Sequence, residues 1–358
     1  MTNSPRLLRR RNTASLCFAP RAINQGPNTM DAAAGPRRLV AIDAPSALGL
    51  KRPAPEREPG TRFAPWQLRQ LHLLERLQAR DGGTLTPPQY TGIRDPQTLV
   101  LHSAELASYA LSVADALQPL WADGEFVLLL GGDCSILLGS ALALNRRGRY
   151  GLVFIDGHRD LLLPQQTRHG AAAGMDLALV TGHGPEALTR IEGRKPLIRA
   201  EDVLLIGFRD EDRWYHEEIL ATANASMRAV SLDAARCEEI PRALKRRLTA
   251  LLAGGVEGFF IHLDVDVLNA QLMFAVDSPE PGGMLPDELI GLLQTAVGMP
   301  GCLGMQLTNY DPECDREYVC GLRLIEILAA GLEPLRDTAA TRVDPPEASE
   351  DSAPGPAF

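Results

Sequence analysis

Residues 151–160 read Gly-Leu-Val-Phe-Ile-Asp-Gly-His-Arg-Asp. The first half, Gly151–Ile155, is an unbroken apolar run, and an apolar run without polar alternation suits a strand covered on both faces. The second half turns polar at once, with Asp156, His158 and Asp160 spaced two apart. Six further runs share the apolar character: Leu39–Asp43, Phe126–Leu130, Val203–Phe208, Met227–Leu232, Gly258–Val265 and Cys302–Leu307. Between them lie stretches of helical character at Trp66–Arg80, Ser103–Trp121, Ser135–Asn145, Pro241–Ala253 and Pro286–Val297. The last opens Pro286-Asp287-Glu288, a favourable first turn. Strands alternating with helices over most of the chain specify an α/β class, one parallel sheet with helices on both faces. No internal repeat or mid-chain linker divides it, so a single domain is expected. The prolines at 45, 53, 55, 59 and 65 make 44–65 an irregular loop.

The chain has 358 residues, a net charge of −9 and 45% hydrophobic residues, enough for a large buried core. No apolar stretch reaches the ~18 residues a membrane span needs, and the acidic balance argues against nucleic acid as a partner. Cysteines at 17, 134, 237, 302, 314 and 320 form no CxxC pair and are too sparse for a disulfide scaffold, which points to a reducing cytoplasm. The domain is expected over 37–336. Before it, residues 1–36 form a basic leader, with arginines at 6, 9, 10, 11 and 21 and no acid up to residue 30. The leader reads as disordered or as residues ahead of a start at Met30; an organelle transit peptide is the alternative. After it, residues 337–358, rich in Pro, Ala, Ser and acid, read as a solvated tail.

In open parallel sheets, ligands gather beyond the carboxyl ends of strands. Three ends carry chemistry. Phe126–Leu130 runs into Gly131-Gly132-Asp133-Cys134-Ser135, Gly151–Ile155 into Asp156–Asp160, and Phe259–Leu263 into Asp264-Val265-Asp266. Residues two apart on an extended chain point the same way, roughly 6.6 Å apart. Asp156, His158 and Asp160 can therefore face one site, and Asp264 and Asp266 the same site from another strand. Four carboxylates and an imidazole gathered together repel unless a cation compensates them. Carboxylate-rich ligation with one histidine suits Mn²⁺ foremost, and two such ions can activate one water.

The three motifs, in this order, resemble the ureohydrolase (arginase/agmatinase/formimidoylglutamase) family, whose pattern is GGDHS, then DAHxD, then DxDxxDP. The matches are GGDCS at 131–135, DGHRD at 156–160 and DVDVLNA at 264–270. Weaker similarity extends to 60–77 and to 277–288, where Glu288 matches a substrate-site glutamate; coverage is about residues 37–335. The resemblance implies a three-layer α/β/α sandwich on an about eight-stranded sheet, a homo-oligomer, and a site of two divalent ions, Mn²⁺ first. One ion would be held by the Cys134 position, Asp156, Asp160 and Asp264, the other by Asp156, His158, Asp264 and Asp266. The implied reaction is hydrolysis of a linear C–N bond in a small guanidino or amidine compound.

Three departures qualify that expectation. Cys134 stands where the pattern has a histidine: it is either a ligand shifting preference toward Zn²⁺ or Fe²⁺, or a neutral thiol beside a smaller ligand set. Asn269-Ala270 replaces Asp-Pro, with tuning of the site as the expected effect. The arginase proton-shuttle histidine aligns near Ala173, leaving His169, four residues earlier, as a candidate shuttle and substrate contact. Asp176 reads as a helix cap or a substrate contact, with the cap favoured. His262 reads as a core or supporting histidine, His183 as a polar loop contact, and Arg159 as pointing away from the metals. Two other functions remain open: the same site acting on a different amide or amidine, or a catalytically silent metal-binding paralogue with a regulatory or structural role.

Overall fold

The computed structural model describes residues 37–210 and 215–340. The leader expected over 1–36 lies outside these residues, as does 341–358 of the expected tail; residues 337–340 close a helix, Glu333–Ala340.

Seven strands form one sheet: β1 (Leu39–Ala44), β2 (Arg80–Thr84), β3 (Phe126–Gly131), β4 (Gly151–Ile155), β5 (Val203–Ile206), β6 (Phe259–Asp264) and β7 (Cys302–Thr308). Their order is β2-β1-β3-β7-β6-β4-β5, and every pairing is parallel. The central strands carry apolar side chains on both faces, as their sequences require. Phe126, Leu128 and Leu130 of β3 join one core layer, and Val127 and Leu129 the other. Helices Ile240–Ala253, Pro286–Val297 and Val319–Gly331 cover the first layer; Ser103–Ala122 and Leu137–Arg147 cover the second. The last two approach closely at Gly139, where a Cβ would stand 2.5 Å from that of Val113. The result is the expected α/β/α sandwich.

The strand count differs from the expectation at both edges. Met227–Leu232 pairs with β5 through a single bridge, Val230 to Ile206, because the chain turns into helix Leu232–Cys237 before a ladder can grow. Backbone bonds still join that expected segment to β5 and its continuation: Arg228 N–H to Val203 O at 2.9 Å, Val230 N–H to Leu205 O at 2.9 Å, Gly207 N–H to Val230 O at 3.4 Å and Leu232 N–H to Phe208 O at 3.0 Å. At the other edge, β2 (RDGGT) has no apolar residue to announce it, since an exposed edge strand buries almost nothing. The helix expected over 66–80 breaks in two, Ala64–Gln70 and Leu73–Leu77, because His72 adopts a left-handed conformation (φ 62°). Helices Glu217–Ser226 and Val319–Gly331 are the longest of several beyond those expected among the described residues. No helix among the described residues is long and apolar enough to cross a membrane.

Strand order decides where the chemistry lies. β3, β7, β6 and β4 are consecutive neighbours, so the segments leaving their carboxyl ends emerge side by side.

Candidate metal centre

The turn after β3 is built around Gly132. A Cβ there would stand 1.8 Å from the Ser46 carbonyl oxygen, so only glycine admits the close crossing of the two segments. Asp133 follows and caps the short helical turn Cys134–Ile136: its carboxylate accepts from Ser135 N–H at 2.8 Å and from Ser46 Oγ at 2.9 Å. Cys134 is thereby fixed with its thiol over the sheet end, 2.8 Å from Asp264 Oδ2 and 3.2 Å from Thr308 Oγ1.

β4 ends at Ile155, and the following segment is loop rather than extended strand. Asp156, His158 and Asp160 nevertheless all turn into the site. Asp156 Oδ1 accepts from His158 N–H at 2.7 Å, and Asp160 adopts φ 48°, which reverses the chain. Arg159 points away as expected, pairing with Asp210 at 3.0 Å and lying over the Phe208 ring. From β6, Asp264 Oδ1 accepts from Asp266 N–H at 2.8 Å, which curls Asp266 toward His158. His158 Nδ1 is 3.1 Å from Asp266 Oδ2 and 3.5 Å from Asp156 Oδ1.

Cys134, His158, Asp160, Asp264 and Asp266 line one open cavity of about 190 Å³ with His169, Lys51, Asp277, Ser278 and Asn309. Asp156 lies behind this wall, completely buried. Glu288 does not line the cavity. Arg236 grips its carboxylate at 2.8 Å on both oxygens, and Oε2 also accepts from Leu285 N–H at the start of helix Pro286–Val297. Asp176 does begin a helix, with Oδ1 taking Leu177 N–H at 2.6 Å, but it is also fully buried against the cluster. His183 makes its expected polar contact, Nδ1 lying 3.3 Å from Thr181 Oγ1.

Two residues escaped the sequence reading. Asn309, leaving β7, donates from Nδ2 to both oxygens of Asp264 (3.1 and 3.0 Å) and to Asp266 Oδ2 (3.2 Å). Glu280 sets Oε1 3.2 Å from His158 Nε2. A fourth strand end was the available signal for Asn309. Glu280 sits in a loop, and nothing in its local sequence marks it.

The electrostatics require a compensating charge. Burial, reinforced by neighbouring carboxylates, pushes Asp160, Asp176 and Asp264 well above the usual carboxylate range, and pushes Asp266 upward. Burial acts the same way on Asp156, but the His158 and His262 imidazoles beside it overcome it and draw that carboxyl down to about 2. Burial opposes charge on His158, yet Asp266 and Asp156 outweigh it and raise the imidazole well above its ordinary value. Burial raises the Cys134 thiol strongly, with Asp264 adding to the effect. Asp156 Oδ2, Asp176 Oδ2 and His262 Nε2 are buried without a hydrogen-bond partner among the described residues. Such orphans are rare in folded proteins. The donor set fits divalent cations: Asp156, His158 and Asp266 offer ligand atoms within 4.8 Å of one another, and so do Cys134, Asp176 and His262. The five cysteines among the described residues are all free.

A model described as "Arginase family" matches residues 50–329. An arginase of Staphylococcus aureus (strain MRSA252) is 27% identical over 194 residues, covering 54% of this chain; the chain spans 63% of that relative's length, less than two thirds. Among solved structures, native arginase from Bacillus caldovelox superposes with a TM-score of 0.72 at 22% identity, covering 82% of this chain and 97% of that one. Formimidoylglutamase from Bacillus subtilis gives a TM-score of 0.65 at 18% identity, covering 86% and 89%. At these identities the likeness of structure is a likeness of fold.

Proposed function

We propose, since this chain belongs to the arginase family, that it is a metal-dependent hydrolase of a linear C–N bond in a small guanidino or amidine compound. The observation that carries the reading is the convergence, from three strand ends, of Cys134, His158, Asp160, Asp264 and Asp266 on one cavity, with Asp156 buried directly behind its wall. So much buried acid has little structural use, because unpaired buried charge is strongly destabilising.

The residues present fit two divalent ions, Mn²⁺ foremost, with Zn²⁺ or Fe²⁺ favoured by any thiolate at Cys134. Cys134, Asp156, His158, Asp160, Asp264 and Asp266 would hold them. When bound, such ions supply Lewis-acid stabilisation of developing charge and a nucleophilic water. The protein's part is orientation and proton handling. Asn309 holds Asp264 and Asp266 in one arrangement by donating to both. Arg209 donates to the Asp266 and Glu280 carbonyls at 2.8 and 3.0 Å and to the Pro281 carbonyl at 3.0 Å, bracing the loops that carry those acids. Asp277, on the cavity wall, offers an acidic group to a cationic amidine. His169, exposed and also lining the cavity, would pass a proton from its imidazole to the leaving amine. A cytoplasmic homo-oligomer acting on small molecules, with neither nucleic acid nor membrane as partner, completes the reading.

The test is a panel assay of full-length protein loaded with Mn²⁺ or Zn²⁺, using arginine, agmatine, guanidinobutyrate and formiminoglutamate. Turnover of one substrate, abolished by His158→Ala, is expected. Silence on all four with stoichiometric metal bound overturns the proposed reaction.

A further inference from the structure

Beneath the cavity wall, Cys134 Sγ, a carboxylate oxygen of Asp176 and an imidazole nitrogen of His262 lie within 4.8 Å of one another. Cys134 is 2% exposed, and Asp176 and His262 are wholly buried. Cys134 Sγ touches Asp264 and Thr308, whereas Asp176 and His262 are each anchored on one side and free on the other. Asp176 Oδ1 is taken by Leu177 N–H, while Oδ2 has no partner among the described residues. His262 Nδ1 sits 2.6 Å from the Gln306 amide, whose far end meets Ser140 Oγ at 2.7 Å. The ring is stacked on Phe154 with centroids 4.4 Å apart, so its direction is set. Its Nε2 is left unpartnered, 3.7 Å from Asp156 Oδ2 and 4.0 Å from Asp176 Oδ2. Asp156 Oδ2 is unpartnered as well. Three fully buried polar atoms therefore aim at one point beside a thiol.

We infer that Cys134, Asp176 and His262, with Asp156, form a thiolate-containing cation site of the Zn²⁺ class at the floor of the cavity. The inference rests on the metal-site half of the function proposed above, and changes which residues hold the inner ion. The family pattern places a histidine at position 134; here the sulfur stands in that position and the imidazole arrives from β6, two residues before Asp264. A sulfur–nitrogen–oxygen set of three or four donors suits Zn²⁺, whereas Mn²⁺ prefers oxygen-rich coordination. Ligation needs the His262 tautomer whose Nδ1–H donates to the Gln306 side-chain oxygen, which frees the Nε2 lone pair. Turning the amide end for end provides that acceptor without moving a heavy-atom position, and such a supporting contact ordinarily fixes a ligand histidine.

The experiment uses full-length metal-free protein titrated with Co²⁺ alone, then challenged with Zn²⁺ or Mn²⁺. A near-ultraviolet thiolate-to-cobalt charge-transfer band is expected, absent in Cys134→Ser. Zn²⁺ should displace the cobalt at concentrations at least ~100-fold lower than Mn²⁺ needs. His262→Gln and Asp176→Asn should each weaken cobalt binding by more than the ~10–100-fold that loss of an outer partner costs. Should a variant fail to fold, the spectrum of the unaltered chain decides. Cobalt binding without the thiolate band, no cobalt binding, or Mn²⁺ competing as well as Zn²⁺ overturns the inference. Hydrolysis of a guanidino substrate without a thiolate band sinks this site and leaves the proposed reaction standing. A thiolate band with no hydrolysis of any panel substrate does the reverse.

Discussion

Replacing Gly132 by alanine tests whether the turn after β3 is what delivers Cys134 to the site. The added Cβ would lie 1.8 Å from the Ser46 carbonyl oxygen, where such contacts essentially never fall below 3.0 Å, so the two backbones must separate by about 1.2 Å. Neither side is free to move. Gly132 N–H donates to Ala44 O at 3.2 Å, Asp133 N–H to Ser46 O at 3.0 Å, and Asn309 N–H to Gly132 O at 2.7 Å. Ser46 Oγ adds its bond to Asp133. Each such bond is worth roughly 0.5–1.5 kcal/mol net. Losing two of them puts the cost at about 2 kcal/mol, and for a domain of about 300 residues that lowers the melting temperature by roughly 3 °C. Thermal unfolding followed by circular dichroism in chelator-treated buffer measures it free of any metal contribution. Gly174→Ala is the control: its Cβ meets only Leu162 Cδ1, at an ordinary 3.5 Å, so its melting point should match or slightly exceed that of the unaltered chain. A Gly132→Ala melting point within ~1 °C of the parent refutes the reasoning and shows that the crossing accommodates a side chain.

Two other substitutions probe the residues around the cavity. Asn309→Ala should weaken metal retention by about 10–100-fold, read by chelator competition, because it removes the donor that aligns Asp264 and Asp266; unchanged retention would place that alignment elsewhere. Glu288→Ala should cost about 1 kcal/mol of stability by denaturant titration, through loss of the Arg236 pair and the contact with Leu285 N–H, while leaving KM for any panel substrate within about twofold; a tenfold rise in KM would put Glu288 at the substrate after all.

The sequence disclosed those parts of the molecule whose signal is local. Apolar runs such as Phe126–Leu130 and Gly151–Ile155 betray central strands because both faces are buried, and the polar residues directly after them can only lie at the sheet's carboxyl edge. Helix Pro286–Val297 was legible to the residue because proline, two acids and an apolar stripe mark its start and its buried face. The polar edge strand Arg80–Thr84 was invisible for the converse reason. Glu288 shows how a motif match leaves a role open: the same side chain serves equally well at a helix start, where Arg236, 52 residues away, engages it. Asp176 and His262 carried partial readings: Met175 rather than Asp176 holds the cap position of that helix, and no side chain caps it. One does begin a helix and the other is a core histidine, yet their second polar atoms face a point that exists only when distant segments meet. Local sequence contains no term for that.

The order of strands has a consequence for the growing chain. β7, made last, fits between β3 and β6, and it carries Thr308 and Asn309, which close over Cys134 and Asp264 from 174 and 45 residues away. Until that segment leaves the ribosome, the middle of the sheet is an open slot with two bare hydrogen-bonding edges, the arrangement most prone to wrong pairing. The nascent protein thus passes through a stage when its most apolar strands have no proper neighbour, and a chaperone or swift release is needed most there.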